Sequence, residues 1–179
     1  ILSIDLMERA SSACFNWIKN NFSNKEAFKV FCGKGNNGGD GLAIARMLIE
    51  AGFNTEIFVL TPKNNSEKKN DKAGTADFKI NLKRLGYIPS VKVYEVTDER
   101  QFPKLKKQDI IIDAMFGSGL TRPLNGLYAK AAEIINNSNA IVMSVDMPSG
   151  LFCDKKNPEP VIIKAAHTLT FQVPKLSFM

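Results

Sequence analysis

The residues best placed to do chemistry lie in one run, Gly33-Lys34-Gly35-Asn36-Asn37-Gly38-Gly39-Asp40-Gly41. An apolar stretch leads into it and an apolar-periodic stretch, LAIARML, follows, so the sequence predicts strand, glycine turn and helix start. Such a junction is an anion site: free backbone N–H groups and the positive end of the helix dipole face the ligand, and glycine lets it come close. Asn36 and Asn37 add amide donors and carbonyl acceptors, able to hold a cation or a polar ligand. A plainer reading also fits, in which the asparagines take left-handed turn geometry and Asp40 caps the helix. Gly33, Gly35 and Gly38 satisfy GxGxxG, which keeps an NAD(P)-dependent dehydrogenase in view. That rival needs an acidic residue at the end of the second strand, and Ile57–Lys63 contains none. The GxxxxGK[ST] phosphate loop is absent as well.

Two carboxylates form the second constellation. Asp113 closes the apolar run IIIDA and Asp146 closes IVMSVD, and each precedes a glycine-containing turn. In open parallel sheets ligands bind outside the carboxyl ends of the strands, where strand order reverses, so both aspartates and the glycine run are expected to share one crevice. Aspartate also begins turns for purely structural reasons, which is the alternative for each taken singly. Ser149 sits in DMPSG, which is not a GxSxG elbow, and His167 is the only histidine, set in an apolar strand and read as structural. One histidine and no paired cysteines argue against zinc.

These groups need a scaffold. Strands are read at Ala27–Cys32, Thr55–Leu60, Val91–Val96, Asp109–Asp113, Ala140–Val145 and His167–Phe171. Helices are read at Ser3–Asn21, Gly39–Ala51, Ser66–Leu85 and Asn125–Asn137, with a short one near Asp98–Leu105. The alternation predicts an α/β domain with a largely parallel sheet covered on both faces. Gly52 and Gly86 are placed as left-handed helix caps. The length of 179 residues suits one domain, residues 1–179, and the 44% apolar and 23% charged fractions are globular values. The net charge of +6 comes largely from lysines in solvated-looking stretches without interleaved aromatics, so no nucleic-acid partner is expected. No apolar run approaches the ~20 residues of a membrane span. Cys14, Cys32 and Cys153 show no pairing pattern, and buried thiols in a reducing cytoplasm are the expectation.

GKGNNGGDGLAIAR resembles the signature of the NAD(P)H-hydrate epimerases, and DAMFGSGLTRPL (113–124), SVDMPSGL (144–151), LTFQVPKLSFM (169–179) and, more weakly, LMERA (6–10) fit the same family in order. The resemblance implies a three-layer α/β/α Rossmann-like fold and interconversion of the R and S forms of hydrated NADH or NADPH (NADHX, NADPHX). It implies a potassium ion held by Asn37, Asp113 and Ser149. It also implies a substrate site lined by Asn36, Asn37, Gly38, Gly39 and Asp40, by Gly117, Ser118, Gly119, Leu120, Thr121, Arg122 and Pro123, and by Asp146. Within that site Gly117 and Gly119 let the backbone approach phosphate and Arg122 can pair with it, a surface ion pair being the alternative for Arg122. Asp146 is the expected acid–base, with Asp113 given to potassium and Asp40 to its helix cap. A homodimer is implied too, with Leu6, Phe15, Trp17 and Ile18 as possible interface residues, as are truncation at both ends and a fused dehydratase domain after Met179. A non-catalytic dinucleotide-binding domain is the remaining alternative.

Overall fold

The computed structural model describes residues 1–63, 74–89, 91–154, 161–172 and 175–178. Six strands form one sheet: β1 (Ala27–Cys32), β2 (Asn54–Leu60), β3 (Lys92–Val96), β4 (Ile110–Ala114), β5 (Ile141–Val145) and β6 (His167–Leu169). Their order is β3-β2-β1-β4-β5-β6 and every pairing is parallel. The chain therefore builds outward from β1 in one direction and from β4 in the other. The carboxyl ends of β1 and β4 flank the switch point, where an open sheet leaves a crevice.

Strand alternation divides the core between two faces. Phe28, Val30 and Cys32 of β1 and Ile110, Ile112 and Ala114 of β4 point to one side, where they pack with Cys14, Ile18, Leu42, Leu48 and Phe78. Phe31, Ile111 and Met115 point to the other and meet Ala131, Ala132 and Ile135. The first face carries α1 (Ser3–Asn21), α2 (Asn36–Glu50) and α3 (Ala76–Leu85), and the second carries α4 (Gly126–Asn136). This is the three-layer arrangement that the sequence implied.

Helix α1 buries Met7, Ser11, Cys14 and Ile18, a spacing of four, three and four that makes one stripe. Its Glu8 pairs with Arg46 of α2 and, at 3.0 Å, with Arg84 of α3, which gives LMERA a structural task. Phe15 and Trp17 pack on the same core and Ile18 is buried in it, so of the proposed interface residues only Leu6 is exposed.

Several boundaries differ from the reading above. Helix α2 starts at Asn36, with Gly35 as N-cap and no side-chain cap. Asp40 is thus a full turn inside the helix and does not cap it. Asparagine and glycine are poor helix formers, and packing overrides them here: a methyl group on Gly38 would lie 1.8 Å from the Gly33 carbonyl oxygen. Helix α3 begins at Ala76, capped by Thr75, whose hydroxyl accepts from the Phe78 N–H at 3.4 Å; the earlier start at Ser66 falls on residues 64–73, outside the described residues. The short helix near Asp98–Leu105 is one 3-10 turn, Glu99–Gln101, closed by an Asp98–Gln101 capping box. Gly52 is left-handed (φ 83°) as expected, whereas Gly86 is right-handed (φ −61°). β6 stops at Leu169, short of Phe171, and His167 is exposed, its ring 5.0 Å from that of Trp17. Cys14, Cys32 and Cys153 are unpaired, and burial pushes the Cys14 thiol up to about 12.

Candidate functional site

The sheet register aims the first carboxylate. Asp113 pairs across β4–β5 with Ser144, so both side chains leave the same face. Asp113 is fully buried. Its Oδ2 accepts from the Ser144 hydroxyl and the Ser149 N–H, each at 2.8 Å. Its Oδ1 accepts from the Ser149 hydroxyl at 2.5 Å and the Met115 N–H at 3.3 Å. Burial pushes this carboxyl above its ordinary range, and these four donors pull against it. Ser149 also accepts from the Phe116 N–H at 2.9 Å, which leaves one hydroxyl lone pair free.

Asn37, in the first turn of α2, is 9% exposed, yet neither its Oδ1 nor its Nδ2 has a hydrogen-bond partner among the described residues. Two unsatisfied polar atoms at that depth cost several kcal/mol together, about 1–3 each, unless a ligand meets them. The turn after β4 passes directly over this amide: a methyl group on Gly117 would lie 2.8 Å from Asp146 Oδ2 and 3.2 Å from Asn37 Oδ1. A side chain at that crossing would crowd both groups, and Asn37 and Asp146 converge beneath it.

Asp146 follows β5 with φ 64°, a left-handed backbone that few residues other than glycine adopt without strain. Its N–H donates to the Leu169 carbonyl at 2.9 Å and its Oδ2 accepts from the Ser118 N–H at 2.9 Å. Oδ1 has no hydrogen-bond partner among the described residues. Its neighbour is the Lys175 ammonium, 3.5 Å away, and that ammonium donates to the Phe171 carbonyl at 3.0 Å. Lys175 received no role from the sequence. The signal was present, because it is the only charged residue in LTFQVPKLSFM.

Asp40 is 8% exposed and receives one long hydrogen bond from the Ser11 hydroxyl to its Oδ1, at 3.4 Å. Burial, reinforced by the charges of Asp146 and Asp77, pushes its carboxyl up to about 7 despite that bond. It lines a cavity of about 650 Å³ between α1 and residues 169–172, walled by Met7, Trp17, Leu169 and Phe171. A second, polar depression of about 810 Å³ lies beyond the ends of β2 and β3, lined by Lys63, Arg100 and Lys130 together with Asp98 and Glu99.

The structure thus brings Asn37, Asp40, Gly117 and Asp146 together at the switch point, with Asp113 and Ser149 joined in one hydrogen-bonded cluster tied to the same turn through Phe116. Gly38 and Gly39 are buried and serve packing: Gly38 faces Gly33, and a methyl group on Gly39 would lie 2.9 Å from the Met7 sulfur. Asn36 is exposed on the first turn. In the turn, Ser118 contributes its N–H, Leu120 packs toward the α4 face, and Gly119, Thr121, Arg122 and Pro123 are exposed. Among the described residues no group of three His, Cys, Asp or Glu side chains is arranged to hold a metal. The oxygen donors present are a carboxylate, a hydroxyl and an unpartnered amide carbonyl, a set suited to a hard cation of low charge.

Comparison with known proteins agrees with this architecture. The family described as YjeF-related protein N-terminus matches residues 3–177. The chain is 39% identical over 151 residues to a bifunctional NAD(P)H-hydrate repair enzyme of Thermofilum pendens, covering 82% of this chain and 27% of that protein. It is 36% identical over 149 residues to an NAD(P)H-hydrate epimerase of Rhodopirellula baltica, covering 83% of this chain and 57% of that one. With an NAD(P)H-hydrate epimerase of Limosilactobacillus reuteri it shares 36% identity over 178 residues, 98% of this chain and 77% of that one. The crystal structure of the yeast protein ynu0 superposes with a TM-score of 0.81 at 27% identity, covering 99% of this chain and 74% of that one. A match that runs through every element carrying the site, on the same fold, has one meaning: the chain belongs to the YjeF-related protein N-terminus family and is a homologue of the NAD(P)H-hydrate epimerases.

Proposed function

We propose that this chain interconverts the R and S epimers of NADHX and NADPHX, a repair isomerisation of hydrated nicotinamide dinucleotides. The observation that carries the reading is the convergence of an unpartnered, buried Asn37 amide and a half-partnered Asp146 carboxylate under the Gly117 turn. The names of the relatives support it. The substrate ring carries a hydroxyl on the carbon beside its nitrogen. Inverting that carbon requires the C–O bond to break and reform, or the ring to open to an aldehyde and close again. Either route moves a proton on or off the hydroxyl oxygen, which a carboxylate with one free oxygen is placed to do. We assign that oxygen to Asp146 Oδ1, which has no hydrogen-bond partner among the described residues, whereas both oxygens of Asp113 are taken by protein donors.

A potassium ion fits the Asn37–Ser149–Asp113 group. Asn37 Oδ1 and Ser149 Oγ would be its neutral donors, and Asp113 would supply the compensating charge. When bound, the ion supplies electrostatic attraction for a negatively charged ligand and fixes the Asn37 amide. The dehydrogenase reading is disfavoured because no acidic side chain ends β2 to hold a ribose.

The test mixes purified R-NADHX with the protein in potassium buffer and follows formation of the S epimer by chromatography. A rate above the spontaneous background supports the reading, and a folded protein with none removes it.

A further inference from the structure

The end of β6 and the segment beyond it each contact Asp146. Leu169 accepts from its backbone N–H at 2.9 Å, and Lys175 stands 3.5 Å from its free Oδ1. Both side chains are largely withdrawn from water, at 10% exposure for Asp146 and 13% for Lys175. A pair this dry and this close would ordinarily tighten to the ~2.8 Å of a charge-assisted hydrogen bond. Here each group is tethered elsewhere: Oδ2 to the Ser118 N–H at 2.9 Å, and Nζ to the Phe171 carbonyl at 3.0 Å. An oxygen atom can lie within hydrogen-bond distance of both groups at once, donating to Oδ1 and accepting from the ammonium.

We propose that Lys175 is a second catalytic residue, which with Asp146 binds the substrate's ring hydroxyl between Nζ and Oδ1 and serves as the acid of the pair. This rests on the epimerase reading above. In the ring-opening route Asp146 Oδ1 takes the hydroxyl proton while the oxygen forms a C=O double bond. The adjacent C–N bond breaks, its electron pair stays on nitrogen, and that nitrogen takes a proton from the Lys175 ammonium, leaving a neutral amine. The freed aldehyde turns about its C–C bond and presents its other face. Reclosure forms the C–N bond, returns the nitrogen proton to Lys175 and delivers the Asp146 proton to oxygen. Nothing is oxidised or reduced, and both side chains end as they began.

The experiment compares the parent, Lys175→Ala and Lys175→Arg in the R-to-S assay, resolving kcat and KM, with thermal melting to establish folding. The expected result for Lys175→Ala is a kcat lower by ~10²-fold or more with KM within severalfold, restored in part and in proportion to added ethylammonium. Arginine keeps the charge opposite Asp146 but does not release a proton near neutral pH, so Lys175→Arg is expected to be as slow as the alanine variant. Its retained cation also keeps the fold testable if alanine destabilises the segment. Parent-like turnover by Lys175→Arg, a change in KM alone, or no rescue of folded Lys175→Ala by ethylammonium overturns the proposal. A parent with no rate above background fails earlier, and removes the epimerase reading together with this one.

Discussion

Replacing Asp40 by asparagine is expected to stabilise the protein in a strictly pH-dependent way. In the folded state this carboxyl holds its proton up to about pH 7, against an ordinary value of 3.8. Folding therefore takes up a proton between those limits, and stability contributed at this site falls as pH rises from about 4 to about 7, then levels off. The gap of roughly 3 units, at ~1.4 kcal/mol per unit, amounts to about 4 kcal/mol of lost stability once the group is ionised. Asparagine keeps the oxygen that faces Ser11 and carries no charge, so the variant escapes the loss. Urea unfolding followed by circular dichroism at pH 4.5, 6, 7 and 8.5 measures the difference between variant and parent. It is expected to grow by about 3–4 kcal/mol between the lowest and highest pH, with the steepest rise between 5 and 7. A difference that stays constant within ~1 kcal/mol across that range would refute the account of Asp40 as a carboxyl burdened by burial.

Three further outcomes are testable, two from the same geometry and the third from the family resemblance. Asp146→Asn keeps side-chain size and suits the left-handed backbone, so dinucleotide affinity should stay within severalfold while kcat falls ~10²-fold or more; saturating turnover near that of the parent would remove Asp146 from the chemistry. Asp113→Ala strips the acceptor from four donors and should cost roughly 3 kcal/mol or more, and melting in potassium against choline buffer should show the parent, but not the variant, gaining stability from the ion. Sedimentation at tens of micromolar is expected to show a dimer; with Phe15, Trp17 and Ile18 committed to the protein's own core, a dimer contact through α1 would have to use exposed residues such as Leu2 and Leu6.

Strands β1, β4 and β5 were legible because burial on both faces writes near-continuous apolar runs such as VFC, III and IVM, and the strand centres lie where those runs lie. The glycine run, Asp113 and Asp146 were legible as candidates because ligands of open parallel sheets bind at strand ends, and the strand ends were visible. The start of α2 was not. Asn36, Asn37, Gly38 and Gly39 look like a turn by every local preference, and only contact with the sheet, α1 and α3 makes them a helix. Asp40 was misplaced for the same reason, since a residue taken as a cap is expected at the surface and this one is buried. Gly86 shows the reverse error, a glycine after a helix that does not use its conformational freedom. Lys175 was missed because nothing local links it to Asp146, 29 positions earlier; their meeting depends on β6 lying beside β5.

The left-handed backbone at Asp146 also constrains how this chain can change over generations. The genetic code places asparagine and glycine one base away from aspartate, and these are the residues that tolerate a positive φ best. Most other replacements would strain the turn between β5 and the Pro148-Ser149-Gly150 segment by about 1–2 kcal/mol. The mutations best tolerated at this position are therefore the ones that erase the carboxylate and spare the architecture. On the role proposed for Asp146, descendants that fold, keep the crevice and have given up catalysis are a single step away, and a lineage of non-enzymatic dinucleotide binders would be expected to carry asparagine or glycine here.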